Sequence, residues 1–149
     1  MIKLFGTTDT DFSSNGDAVI QPLKAKVHKE DNGKFYLTVE AGISYVDLLT
    51  ANRIIVADTP QGAQAFRIKN PEKTKNKITI KAPHISYDAE NFVIADSYVV
   101  DKNCNDALDH LNSATDNPSP FQTYSDIATV GSYRCVRTSL YDAFSTALE

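Results

Sequence analysis

At 149 residues, with 42% hydrophobic and 23% charged, the chain has the size and composition of an ordinary globular protein of one domain or somewhat more. Its formal net charge of −4 argues against nucleic-acid-specific binding, which relies on clustered positive charge to displace counterions. No run approaches the ~20 apolar residues of a membrane span. The stretch MIKLF before Gly6 is too short for the apolar region of an export signal, so synthesis in the cytoplasm is expected.

Residues 1–5 set Ile2 and Leu4 against Lys3 and read as a short first strand. A polar loop over 6–17 follows, with Phe12 its large apolar residue and Asn15-Gly16 a turn. Its Asp9-Thr10-Asp11 lacks the further ligands a calcium loop needs, so no metal site is expected there. Residues 18–29 predict one long strand with Leu23, Ala25 and Val27 on one face and Lys24, Lys26 and His28 on the other. Pro22 within it has no N–H to donate, which demands an edge position or a bulge. Asp31-Asn32-Gly33 predicts a type I′ hairpin turn. The return strand over 34–40 places Phe35, Leu37 and Val39 inside. Residues 46–49 are apolar but ambiguous, and RIIVA over 53–57 reads as a short strand that is either buried on both faces or short and central.

The most distinctive text lies between Thr59 and Asn91. A Pro60-Gln61-Gly62 turn leads to a strand with Phe66 and Ile68 opposite Arg67 and Lys69. After a polar loop, Ile78, Ile80 and Ala82 alternate with Lys77, Thr79 and Lys81. The lysines from Lys69 to Lys81, with their acidic neighbours and the negative overall charge, predict a solvated strand face. Pro83 then ends the alternation, and His84-Ile85-Ser86-Tyr87-Asp88 follows no period. Up to Ala82 the chain offers roughly six or seven strands and no helix, and a small antiparallel β-barrel, or a strongly curled sheet, would close them without exposed edges.

Beyond Asp88 the pattern changes. Val99 and Val100 end a strand-like piece, Asn103 suits a helix N-cap, and Asp106 favours the positive end of that helix. Ala107, Leu108, Leu111 and Ala114 form its apolar stripe, and Asn117-Pro118-Ser119-Pro120 stops it. Residues 121–127 and 132–137 predict two further strands. Ser139 with Asp142 forms a capping box for a last helix, whose stripe is Leu140, Ala143, Phe144, Ala147 and Leu148. The expected fold class is α+β, mainly β: a small antiparallel β-barrel over 1–84, then an α/β segment over 85–149 with two amphipathic helices. The last helix reaches Glu149 without a cap, which marks the chain as an expected piece of a longer polypeptide.

For chemistry, His84, Asp88 and Cys135 can be written as a Cys-His-Asp trio, but composition alone supplies it. No GxSxG, HExxH or phosphate-cradling glycine loop is present. His84 after a strand-ending proline is expected to be a hydrogen-bonded structural residue, and Tyr87-Asp88 a turn cap. Cys104 and Cys135 lie 31 positions apart with no CxxC, so a zinc site is not expected and two free thiols are. No catalytic, cofactor-binding or metal-ligating residue is assigned.

Several short motifs, taken in order, resemble one family. They are Phe12 before Asn15-Gly16, GAQAFRI over 62–68, and Ala82-x-His84-Ile85-x-Tyr87-Asp88. Then come Ala107-Leu108, Pro120-Phe121, and Arg137-x-Ser139-Leu140. Together they resemble the N-terminal region of phage tail-tip proteins of the prophage endopeptidase tail, or phage minor structural protein, family. The match spans nearly the whole chain in the family's order, but lacks the glycine-glycine-glutamate segment found further on in family members. The resemblance implies a baseplate-hub-like fold, a ring of three copies in the full-length protein, and contacts with the distal tail protein and tail tube. It implies a place in the virion tail tip. It also implies that any enzymatic part lies in a C-terminal region, since no family catalytic motif maps here. The expected role is structural. The rival from another class is a cell-wall hydrolase or peptidase acting during phage DNA entry. A carbohydrate-binding barrel is a weaker alternative, because the chain has no tryptophan and 9% aromatic residues.

Overall fold

The computed structural model describes residues 1–31 and 33–146. At 48% strand and 18% helix, the protein is mainly β within the α+β class, and its sheets are antiparallel. The chain divides into two compact units, residues 1–85 and 86–149.

In the first unit, β1 (Ile2–Phe5), β2 (Ala18–Ile20), β5 (Ile54–Thr59) and β6 (Gly62–Arg67) form one sheet in the order β2-β1-β5-β6. A second sheet, in the order β3-β4-β8-β7, contains β3 (Lys24–Lys29), β4 (Phe35–Gly42), β7 (Lys69–Lys73) and β8 (Lys77–Pro83). Alternation dictates what each contributes to the core. Ile2, Leu4 and Ile20 from the first sheet join Leu37, Val39, Ile78 and Ile80 from the second in one buried cluster. The continuous apolar run in β5 has a clear cause. Ile55 and Ala57 enter that cluster, while Ile54 and Val56 point the other way, into a second cluster with Phe5 and Ala65 against which Phe12 packs. The strand is buried on both faces, the first of the two arrangements its apolar run allows.

A closed barrel is not formed among the described residues: the strands make two separate four-stranded sheets. The reason begins at Pro22. The expected single strand over 18–29 is broken into β2 and β3, with residues 21–23 between them, because Pro22 cannot donate to a ladder. The chain therefore passes from the edge of one sheet to the edge of the other at this corner, and passes between the opposite edges around Ile68. At that second corner, an isolated bridge joins Phe66 to His84.

The β3–β4 hairpin pairs from Lys24↔Glu40 to Lys29↔Phe35. The Glu30 N–H donates to the Lys34 carbonyl at 3.0 Å and the Gly33 N–H to the Glu30 carbonyl at 3.2 Å, so the ladder ends one pair further on. The conformation expected of Asn32 lies outside the described residues. The ambiguous apolar piece near residue 46 follows a 3-10 turn, Ile43–Tyr45, and contributes the buried Leu49.

The 3-10 segment Ile85–Asn91 begins on the last residue of the first unit. In the second unit, β9 (Val93–Asn103) pairs antiparallel with β10 (Val130–Ser139), from Val130↔Asn103 to Ser139↔Val93. Helix α1 (Cys104–Ser113) and helix α2 (Leu140–Thr146) share a core with this ribbon, built from Ala89, Ile94, Leu111, Leu140 and Ala143. Both helix starts follow their sequence signals. The Asn103 side chain accepts from the Asp106 N–H at 2.9 Å. Ser139 Oγ accepts from the Asp142 N–H at 3.1 Å and donates to its carboxylate at 2.8 Å. Ala147 and Leu148 of the expected final stripe lie outside the described residues.

Residues 121–127 do not form the expected strand. Polar side chains on one face of α1 satisfy this segment instead. Asn112 Nδ2 donates to the Phe121 carbonyl at 2.7 Å, Thr123 Oγ1 donates to the Asp109 carboxylate, and the Ser125 N–H donates to Asn105 Oδ1 at 3.1 Å. The spacing of Asn105, Asp109 and Asn112 is that of a single helix face, so the segment runs antiparallel to α1 as a strap.

Candidate functional site

Of the residues considered for chemistry, His84 is the most constrained. Its ring stacks on Phe35 at 4.4 Å and 16°, and meets Phe66 edge-on at 5.5 Å and 82°. Nε2 lies 3.0 Å from Gln64 Oε1. An amide oxygen only accepts, so Nε2 carries the proton of a neutral imidazole. Burial, with a smaller contribution from the charge of Lys29, lowers the His84 pKa to about 4. A base that weak is poorly matched to proton abstraction near neutral pH.

Cys135 belongs to the second unit, on β10, where it packs half-buried against the core. Burial raises its pKa, which disfavours the nucleophilic thiolate. Cys104 and Cys135 are both free thiols. Asp88 lies in the 3-10 segment, where its carbonyl accepts from Asn91 Nδ2 at 3.1 Å. Among the described residues, no group of three or more His, Cys, Asp and Glu is placed to hold a metal ion.

A polar cluster not anticipated from sequence lies between β9, β10 and α1. Ser97 is buried, and its Oγ sits 3.1 Å from His110 Nδ1. Tyr133 donates to the Ala107 carbonyl at 3.0 Å and lies 3.5 Å from the same histidine nitrogen. Burial raises the Tyr133 pKa. The Ser-His contact has the reach of a nucleophile and base, but Ser97 is only 4% exposed. Enclosed in this way, the Ser97 hydroxyl and its contact with His110 tie the ribbon to α1.

The second feature legible only in three dimensions is electrostatic. Residues 1–85 hold twelve Lys and Arg against nine Asp and Glu, net +3, whereas residues 86–149 hold three against ten, net −7. Much of the positive charge lies on the outer face of the β3-β4-β8-β7 sheet. Register there aligns Lys26 with Thr38, Thr38 with Lys81, and Lys81 with Lys69. Beside this row, Tyr36 stacks on His28 at 4.6 Å and 11°, and Lys81 Nζ lies 4.2 Å from the Tyr36 ring centre. Lys77 is paired with Glu40 at 2.7 Å, and that contact lowers the Glu40 pKa. Alternation along each strand predicts lysines on one face, but only the register shows that they form a row.

No family model and no curated protein matches this sequence. No helix among the described residues is long and apolar enough to cross a membrane.

Proposed function

We propose that the chain is a structural component of a phage or prophage tail tip, a baseplate-hub-like N-terminal region that joins the tail tube to the host-facing tip. The observation that carries this reading is where the family-like motif residues sit. Phe12 packs edge-on against Phe5 at 5.1 Å, and Gly16 takes a left-handed φ of 67° beneath the Leu4 carbonyl. Phe66, Ile68 and Ala82 are core residues. His84 is stacked and uncharged at neutral pH, Tyr87 stacks on Tyr141 at 5.3 Å, and Leu108 and Leu140 are buried. Arg137 takes a left-handed φ of 50° just before the Ser139 cap. Motifs made of corners, caps and core positions suit a framework whose purpose is assembly. In this reading the partners are further copies of the same chain in a trimeric ring, the distal tail protein and the tail tube.

Antibody labelling of purified tails tests the proposal by electron microscopy. Label at the distal end of the tail is the expected result; unlabelled tails would remove its basis. The hydrolase alternative would gain support from release of peptidoglycan fragments that His84→Phe or Cys135→Ser abolishes.

A further inference from the structure

The outer face of the β3-β4-β8-β7 sheet violates a rule of strand pairing. Lys69 and Lys81 are directly opposed across β7 and β8, and like charges in opposed positions destabilise a sheet. Lys26 extends the row through Thr38. Strands about 4.8 Å apart place the three lysines along a line of roughly 14 Å across the sheet. Among the described residues, none of the three has a carboxylate within ion-pair distance, whereas Lys77 on the same face is paired with Glu40. The row borders a groove of about 370 Å³ whose lining includes Lys34, Phe35, Tyr36, Lys69 and Lys81, with Glu72 its one acidic residue among the described residues. Lys81 has the Tyr36 ring at 4.2 Å but, among the described residues, no carboxylate, so the opposed charges are not neutralised within the sheet, and a local rule broken in this way points to an external anion.

We propose that this face binds a linear phosphate polymer that carries no nucleobases. A line of ammonium groups suits a chain with repeated charge more than a single anion. All the cations in the groove are lysines, compact point charges that accept phosphate in many orientations, in contrast to the fixed fork of arginine. Binding of single-stranded nucleic acid relies on open aromatic faces for base stacking. Among the described residues, both aromatic side chains that line the groove are already engaged: Tyr36 by His28 and Lys81, and Phe35 by His84 and Lys29. That leaves the charge, without a stacking platform. The proposal does not depend on the tail-tip reading.

The test titrates fluorescent inorganic polyphosphate with the full chain over a series of salt concentrations. Binding that weakens with salt is expected. The double variant Lys69→Gln/Lys81→Gln should bind roughly tenfold more weakly at low salt, with the log–log salt slope reduced by about 1 per lysine removed. Lys102→Gln, in the other unit, should leave binding unchanged. Because the double variant also relieves opposed like charges, its unfolding midpoint should equal or exceed the parent's. No binding by the parent, an unaffected double variant, or a loss in Lys102→Gln of the same size would overturn the proposal. So would a lower midpoint accompanying the lost binding. Oligothymidylate of equal charge binding more tightly than polyphosphate would assign the face to nucleic acid, and polyglutamate binding as tightly would remove its preference for phosphate.

Discussion

His84 and Phe35 lie nearly parallel, their ring centres 4.4 Å apart, and this contact holds the imidazole where protonation is unfavourable. The consequence is a pH dependence of stability. The folded-state pKa of about 4 lies below the ordinary 6.5, so between these values the unfolded chain binds the proton and the folded chain does not. Stability is therefore full above about pH 6.5 and falls as the pH drops towards 4. After allowance for the exposed part of the ring, the loss from pH 7 to 5 should be roughly 1 kcal/mol. Chemical denaturation at both pH values measures it, and His84→Phe should flatten this component while keeping the stack. An unchanged slope in that variant would contradict the assignment.

Two glycines with positive φ should respond differently to alanine. At Gly16 (φ 67°) an added Cβ would lie 2.2 Å from the Leu4 carbonyl oxygen, whereas at Gly62 (φ 96°) it would meet nothing within 4 Å. Gly62→Ala should cost about 1–2 kcal/mol from backbone conformation alone. Gly16→Ala should cost clearly more, because the β1–β2 region must move to make room. Equal unfolding midpoints for the two variants would refute this.

Tyr87 and Phe66 separate packing at the surface from packing in the core. Tyr87 is half-buried and stacked on Tyr141 at 5.3 Å, while Phe66 is fully buried. Phe66→Ala should destabilise by about 3–5 kcal/mol and Tyr87→Ala by only about 1–2 kcal/mol. The reverse order in denaturant melts would show that the core has been misplaced.

The strap over residues 121–125 depends on α1. Asn105→Ala removes the acceptor of the Ser125 N–H, and Asn103→Ala removes the helix cap. Each should cost about 1 kcal/mol. Only Asn105→Ala should speed amide exchange at Ser125 without loosening the start of α1. Hydrogen exchange resolves the two sites.

These contrasts show what the linear text could and could not reveal. Phe35, Leu37 and Val39, the Asn103 cap, and the stripe Ala107, Leu108 and Leu111 were legible because each depends on neighbours within a few positions. The break at Pro22 was only half legible. The missing donor was visible, but the passage of the chain from one sheet to another depends on partners far along the chain. Residues 121–127 look like a strand because alternation does not say what will satisfy the backbone, and here side chains of α1 do so. The Ser97–His110 contact and the Lys26, Lys81, Lys69 row require a helix orientation and a register that no local pattern encodes.

Quantitative mass spectrometry of purified tails against the soluble lysate tests the proposed place of this chain in a tail tip most directly. Peptides from residues 1–149 should co-purify with tail-tube and distal tail proteins, in the stoichiometry of a trimeric ring. Their absence from intact tails, with the chain recovered only in the soluble fraction, would contradict it.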